Sequence, residues 1–529
     1  MRDDRDHSSV HAAAAAGTID ESTASAAALS TARHVLGAPA LTADDDLFDA
    51  GMTSLSALRL ADRLSEAFGR EVTVTDVYLA GDIAGILRLH AAAGPAPSGT
   101  VPPRPDGDLV PLSHAQERFW LAEQFAPGAA DNMLVLAYAI DGRLDSERLR
   151  VALLDVIGRH PALRTRYPWV ETGAVAQTVS PEAVDLSLET VAAPFEPADE
   201  AGRQALAEAV TADWWETPLD LAERPPLRLR LCPIGADQHL LCLQIHHIAF
   251  DGRSEQIFVT DLLAAYRQFD GEEADREAPP PEEQHDPRAE PDADEDLVYW
   301  SRSLTNAPRP FLPAPPDAAD EASRAEICWL VATDTVSGIR AVAQRRRLPT
   351  LALLLAAAAR ALAEVFPVTD LALGTLSDRR GPGAPDSAIG YFVNPVPVVL
   401  TSVTQRDLPD LLEHAASGVL AGLRHSRIPF DELVRRLGPE RGRHPWFQAW
   451  VVLQYPVPEG ELVPGTRLRA VRVRPPRTAA ELSVEAFPRT DGSWELRLIW
   501  RNDGCARDDV RAVGDRIRTL LDEIAGQDR

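Results

Sequence analysis

The sequence predicts a small helical unit followed by two larger blocks that mix strands and helices, an α/β pattern in both halves. Three observations carry that expectation. Two Pro-rich stretches read as joints, AAAGPAPSGTVPPRPDGD at 91–108 and the acidic GEEADREAPPPEEQHDPRAEPDADED at 271–296, the second with almost nothing to bury. They divide the 529 residues into a unit before residue 91, a block at 110–270 and a block at 297–529. In both blocks short apolar runs alternate with longer runs of helical period. A composition of 45% hydrophobic and 25% charged residues supplies sizeable cores.

The elements follow in order. Residues 24–37 are Ala-rich and helical, a loop carries TADDDLFDAGMTS, and from Ser54 a second helix runs through SLSALRLADRLSEAFG. Leu55, Leu58, Leu64 and Phe68 form its stripe, and Gly69 stops it. A third helix lies near DIAGILRLH. In the first block, LVLAYAIDG and LRLRLCPI read as strands, SERLRVALLDVIGRH as a helix and HLLCLQIHH as a buried strand. In the second block, EICWLVAT is a strand, 335–366 two helices, DLALGTLS and VNPVPVVL strands, and 408–424 a helix. Strands at 449–454 and 494–500 follow.

Charge and cysteine usage exclude several classes. Lys+Arg total 53 against 80 Asp+Glu, a net charge of −27 that repels phosphate backbones, so no nucleic-acid partner is expected. Cys232, Cys242, Cys328 and Cys505 are scattered with no CxxC pair, which argues for reduced thiols and for neither a disulfide framework nor a metal site. MRDDRDHSSVHAAAAAG carries acids and no apolar h-region of a secretion signal. LALLLAAAARALAEVF at 351–366 is broken by Arg360 and Glu364, so it reads as a buried core helix and not as a membrane span. The expectation is a soluble, cytoplasmic protein with no membrane partner.

Ser54 stands where the loop meets the second helix. By itself a serine there is an N-cap, contributing about 1 kcal/mol to the helix. Its setting, DDLFDAGMTSLSALRLADRL, resembles the attachment site of acyl and peptidyl carrier proteins through Asp46, Phe48, Gly51, Ser54 and Leu55. Met52-Thr53 departs from the commonest peptidyl carriers. The resemblance implies a four-helix-bundle carrier domain at 23–93, after an N-terminal extension at 1–22, with 4′-phosphopantetheine on Ser54 placed there by a phosphopantetheinyl transferase. A helix N-terminus suits the phosphodiester.

LQIHHIAFDGRS at 243–254 sets His246 beside His247. On a strand through 239–247, Leu243, Ile245 and His247 share one face and Gln244 and His246 the other, so the two imidazoles have different tasks. Asp251-Gly252 would supply a turn. IHHIAFDGRS resembles the signature of nonribosomal peptide synthetase condensation domains, which share the fold of chloramphenicol acetyltransferase. LSHAQERFWLAEQF (Ser113, Ala115, Gln116, Arg118, Trp120), RHPALRTRY, IGYFVNPVPVVL and IPFDELVRRLGPERGRHPWFQAWVVLQ follow in the family's order. Pro395, Val399 and the acidic stretch before DLVYWSRSL depart from its pattern.

The resemblance implies a linker at 94–109 and two lobes in a V, 110–285 and 286–529, with the active site in a tunnel between them. It implies transfer of an acyl or peptidyl group from an upstream carrier's thioester to the amine of a downstream aminoacyl-carrier, within a set of upstream and downstream synthetase modules. His247 is then the catalytic candidate, a backbone N–H near Gly252 the oxyanion donor, and Asp251 with Arg380 (Arg379 next) a structural ion pair across the lobes. His246 is structural. Two alternatives share these motifs: ester formation on an alcohol, and a non-catalytic platform that recruits other enzymes.

Overall fold

The computed structural model describes residues 21–36, 38–50, 74–91, 107–171, 173–181, 188–268, 293–313, 322–380, 387–438, 446–478 and 480–527, with single positions between 52 and 72 and Val184. In the first unit the helices Glu21–Leu36, Val74–Ala80 and Ile83–Ala91 pack with helical residues between 56 and 68. Leu64 of the expected stripe is buried, and among the described residues Ala57, Leu60 and Ala61 join it at spacing i, i+3, i+4, i+7. Phe68 packs against the same core, while Leu55 and Leu58 lie outside the described residues.

The first lobe is built on a six-stranded sheet in the order Gly460–Val463, Thr466–Val471, Met133–Asp141, Gln238–His246, Leu227–Pro233, Leu188–Thr190. One face carries Tyr138, Leu241, Leu243 and Ile245, packed with Leu149, Leu153 and Val156 of helix Ser146–Arg159 and Phe258 and Leu262 of helix Gly252–Gln268. The other face carries Val135, Ala137, Leu240 and Cys242 under helix Glu200–Val210 and Trp214. Both faces are covered, which is why HLLCLQIHH is apolar without alternation.

The second lobe is a seven-stranded sheet, Val393–Leu400, Leu371–Asp378, Ala449–Leu453, Leu482–Pro488, Trp494–Arg501, Ala322–Val331, Arg477–Thr478. Helices Thr333–Arg346, Thr350–Val365, Leu408–Arg424 and Arg507–Gly526 contribute to its core. Helix Thr350–Val365 is buried along most of its length, and among the described residues no single helix is long and apolar enough to cross a membrane.

Three expectations are corrected. The segment 286–529 is not confined to one lobe: Thr466–Val471 pairs antiparallel with Met133–Asp141 and, with Gly460–Val463, extends the first lobe's sheet. Backbone pairing between strands more than 300 residues apart leaves no local pattern to read. The acidic linker ends earlier than residue 296, because helix Ala293–Leu304 has begun and Asp296 is buried, accepting from His425 Nδ1 at 2.7 Å and Arg427 Nε at 3.1 Å. Asp251-Gly252 is no isolated turn either. Gly252 opens helix Gly252–Gln268, and Asp251 Oδ1 accepts from the Ser254 N–H at 2.8 Å in the manner of an N-cap.

Candidate active site

The strand that carries the histidines ends at His246, and His247 begins a short 3₁₀ turn, His247–Ala249. Face alternation therefore does not place His247; the turn does. His246 is fully buried. Its Nδ1 accepts the Ile248 N–H at 2.9 Å, which leaves Nε2 to donate to Glu123 Oε1 at 3.2 Å. Glu123 also accepts from the Gly128 N–H at 2.9 Å and from Asn132 Nδ2 at 3.0 Å. Burial alone would raise this carboxyl, but the hydrogen bonds from His246, Gly128 and Asn132 outweigh it and hold the group below its ordinary range.

His247 is half-buried and has the other tautomer. Its Nδ1 lies 3.0 Å from the Phe250 carbonyl, an acceptor only, so Nδ1 carries the proton and Nε2 presents a lone pair. Burial depresses the imidazole to about 4; the bond to Phe250 opposes that, and neighbouring His246 adds to it. The ring is held between aromatics. Phe119 stacks on it with centroids 5.9 Å apart and planes 14° from parallel, and Tyr391 meets it edge-on at 6.0 Å. Arg118 donates to the Tyr391 hydroxyl at 3.1 Å and lies 3.4 Å from Asp431. Tyr391 and Asp431 follow the first strands of the second lobe, so the aromatic frame spans both lobes.

Behind this frame the lobes are joined by a buried polar network. Asp251 is 1% exposed and Arg380 is 8% exposed. Arg380 Nη2 donates to Asp251 Oδ1 at 2.9 Å, Nη1 to Asp378 Oδ1 at 3.0 Å and Nε to the Ala388 carbonyl at 3.2 Å. Asp251 Oδ2 accepts the Phe392 N–H at 3.1 Å. Ser254 Oγ accepts the Gly390 N–H at 3.0 Å, and its single proton has either Asp251 Oδ1 at 2.8 Å or the Gly390 carbonyl at 2.9 Å as acceptor. Burial would raise the Asp251 carboxyl, but Arg380 beside it and the Ser254 and Phe392 amides hold it low. Arg380, not Arg379, reaches Asp251; the Arg379 amide donates to the Phe392 carbonyl at 2.8 Å.

Residues 107–528 match the family described as "Condensation domain", and residues 27–89 match the phosphopantetheine attachment site. The chain belongs to the condensation-domain family. It is a carrier unit followed by a condensation domain. Among curated relatives it is 29% identical over 467 residues to the probable non-canonical nonribosomal peptide synthetase CymA of Salinispora arenicola, covering 85% of this chain and 6% of that protein. It is 27% identical over 507 residues to the phosphinothricin tripeptide synthetase PhsB of Streptomyces viridochromogenes, covering 92% of this chain and 42% of the relative. The chain thus spans less than half the length of either. The starter condensation domain of rhizomide synthetase superposes with a TM-score of 0.67 at 21% identity, covering 79% of this chain and 94% of that one, which establishes a shared fold.

In the condensation domain Gly252 is exposed, and its N–H is among the first amides of a helix, which have no intrahelical acceptor. A Cβ there would meet only Gln454 Oε1, at 3.4 Å, the mobile end of a flexible side chain. Sequence reading overlooked Phe119, Glu123, Ser254, Tyr391 and Asp378. The first four lie inside the motifs already singled out, but nothing in those strings says which histidine faces which partner.

In the carrier unit, Ser54 lies outside the described residues. On either side of it, Met52 is buried with its N–H bonded to the Leu47 carbonyl at 2.9 Å, and Ser56-Ala57 is helical. Among the described residues this helix is first seen at Ser56, two positions after Ser54. The carrier core and loop fit the group that the family attaches, 4′-phosphopantetheine.

Proposed function

We propose that the protein forms a peptide bond, transferring an acyl or peptidyl group from a carrier thioester to the amine of a carrier-bound aminoacyl acceptor. The observation that carries the reading is a neutral His247 with its Nε2 lone pair free of the strand, framed by residues of both lobes. The phosphopantetheine arm on Ser54 supplies a tethered thioester; the remaining roles belong to side chains.

The acceptor nitrogen attacks the thioester carbonyl, the C–S bond breaks, the donor thiol leaves, and the new amide nitrogen loses a proton. An imidazole near 4 is a poor base towards an α-ammonium of pKa about 7.7–8.0, a transfer uphill by about 5 kcal/mol. His247 is therefore assigned to the neutral amine: Nε2 accepts its N–H, orients the lone pair, and takes the proton as the nitrogen becomes far more acidic in the tetrahedral intermediate. The first amides of helix Gly252–Gln268 are assigned to the developing oxyanion. His246, Asp251 and Arg380 hold this geometry without touching substrate.

The test is intact-protein mass of the holo protein loaded at Ser54 with an aminoacyl group, offered free and carrier-bound amines and alcohols. Acyl loss that requires both an amine and His247 is the expected result. Transfer to alcohols alone would reassign the product as an ester. No transfer to any acceptor would replace the enzyme with a recruitment platform.

A further inference from the structure

An acidic loop of the carrier unit and a basic helix end of the condensation domain meet through Asp46 and Arg347. The carrier loop contains Asp44, Asp45 and Asp46; helix Thr333–Arg346 ends in Arg345, Arg346 and, at its C-cap, Arg347. Arg347 adopts a left-handed conformation, φ 55°, with its N–H returned to the carbonyls of Ala343 and Gln344, which ends the helix and turns the side chain outward. Its guanidinium contacts the Asp46 carboxylate and lies 5.7 Å from the centre of the Phe48 ring. Gln344 Nε2 donates to the Phe48 carbonyl at 2.7 Å. Leu420 of helix Leu408–Arg424 packs on the carrier core, and Arg346 pairs with Glu413 of that same helix at 3.5 Å.

We propose that Gln344, Arg347 and Leu420 form the surface on which the chain's own carrier docks as the acyl donor. The inference deepens the proposed function and rests on it. The occupant is identified by what is seated there. Asp46 Oδ1 accepts the amides of Phe48 and Asp49, at 2.8 and 3.3 Å, so the carboxylate is held in place while Oδ2 meets the arginine. In a chain of net charge −27, an exposed arginine set against a fixed aspartate gives a complementarity that a neutral surface lacks.

The contact is also releasable. Arg347 remains 56% exposed, and an ion pair so open to solvent is weak and screened by salt. A carrier that must be modified, loaded and discharged at different sites needs such a contact. Leu420 lies one helical turn before Arg424, and the next residues, Ser426 and Ile428, offer their carbonyls to Asn394 Nδ2, each at 2.9 Å. The docking helix thus runs directly into the segment that borders the aromatic frame of the site.

The experiment compares wild type with Arg347→Glu and Gln344→Ala, each confirmed as fully loaded by mass. The acyl group is supplied either on Ser54 or as a soluble acyl-pantetheine thioester. Arg347→Glu should slow transfer from the carrier by about tenfold, Gln344→Ala by a few-fold, and neither should change transfer from the soluble thioester. Raising salt should slow the wild-type carrier reaction and leave Arg347→Glu little altered. An unchanged carrier rate in Arg347→Glu overturns the docking surface. If wild type transfers from neither donor, the proposed function fails, and docking is decided by hydrogen exchange. Amides of 343–348 and 46–50 should lose protection in Arg347→Glu, and unchanged protection overturns the docking surface.

Discussion

Two aspartate–arginine contacts join separate parts of this molecule, and they differ in almost everything except chemistry. Asp251–Arg380 lies between the lobes, its side chains 1% and 2% exposed, with Ser254, Asp378, Ala388 and Phe392 satisfying the remaining donors and acceptors. Asp46–Arg347 lies between carrier and condensation domain, its side chains 18% and 56% exposed, with one further hydrogen bond beside it. Charges removed from water must be fully partnered, so the first contact fixes a geometry; the second exchanges with water at little cost and can open. One chain therefore holds its active-site lobes together and its carrier loosely with the same pair of residue types.

Breaking the locked contact has the largest expected effect. Arg380→Ala leaves Asp251 buried without its partner and should cost about 3–5 kcal/mol in urea unfolding of the condensation domain. Loss of activity in that variant would report on folding and not on chemistry. His247→Ala removes no buried partner, so it should fold normally and lower the transfer rate by about a hundredfold. Its pH–rate profile sharpens the point. Because His247 is depressed to about 4, wild type should show no limb near 6.5, and the rise near the acceptor amine's own pKa of about 8 should persist in the variant.

Glu123→Ala tests His246 and its place in the locked region. It orphans His246, Asn132 and the Gly128 amide, and the expected loss is about 2–3 kcal/mol of stability. Glu255, which accepts from the Tyr138 hydroxyl at 2.9 Å, gives a pH signature. Burial raises its carboxyl to about 7, against the opposing bond from Tyr138 and the charge of Arg497. A raised carboxyl contributes stability that is complete below its unfolded pKa and lost as pH rises through 7. Wild type should lose roughly 2 kcal/mol between pH 5 and 8 in urea midpoints, and Glu255→Gln should remove that slope. The smallest effect belongs to the open contact: Arg347→Ala should leave the unfolding free energy within about 0.5 kcal/mol of wild type, since its contribution is to docking.

Much of this was legible from local pattern. Strand and helix runs follow from hydrophobic period, and the predicted helix at 408–424 coincides with the observed one because Asp407 caps it and Pro409 enters its first turn. The buried helix at 350–365 was legible from apolar density. The carrier and condensation units were legible from motif order, which covers nearly the whole chain.

What the tertiary structure decided is who meets whom. The Thr466–Val471 strand crosses to the other lobe, His246 finds Glu123 across 123 residues, and Asp251 is closed by Arg380 across 129. His247's tautomer is set by a carbonyl three residues on, in a turn that the strand's alternation does not foresee. Periodicity and capping are short-range, one or two turns of helix or a few strand residues, so the sequence by itself determines elements and motif order. The partners of buried charges, and which nitrogen of a histidine is left open, are determined only when distant segments are brought together and each desolvated polar group must find a match.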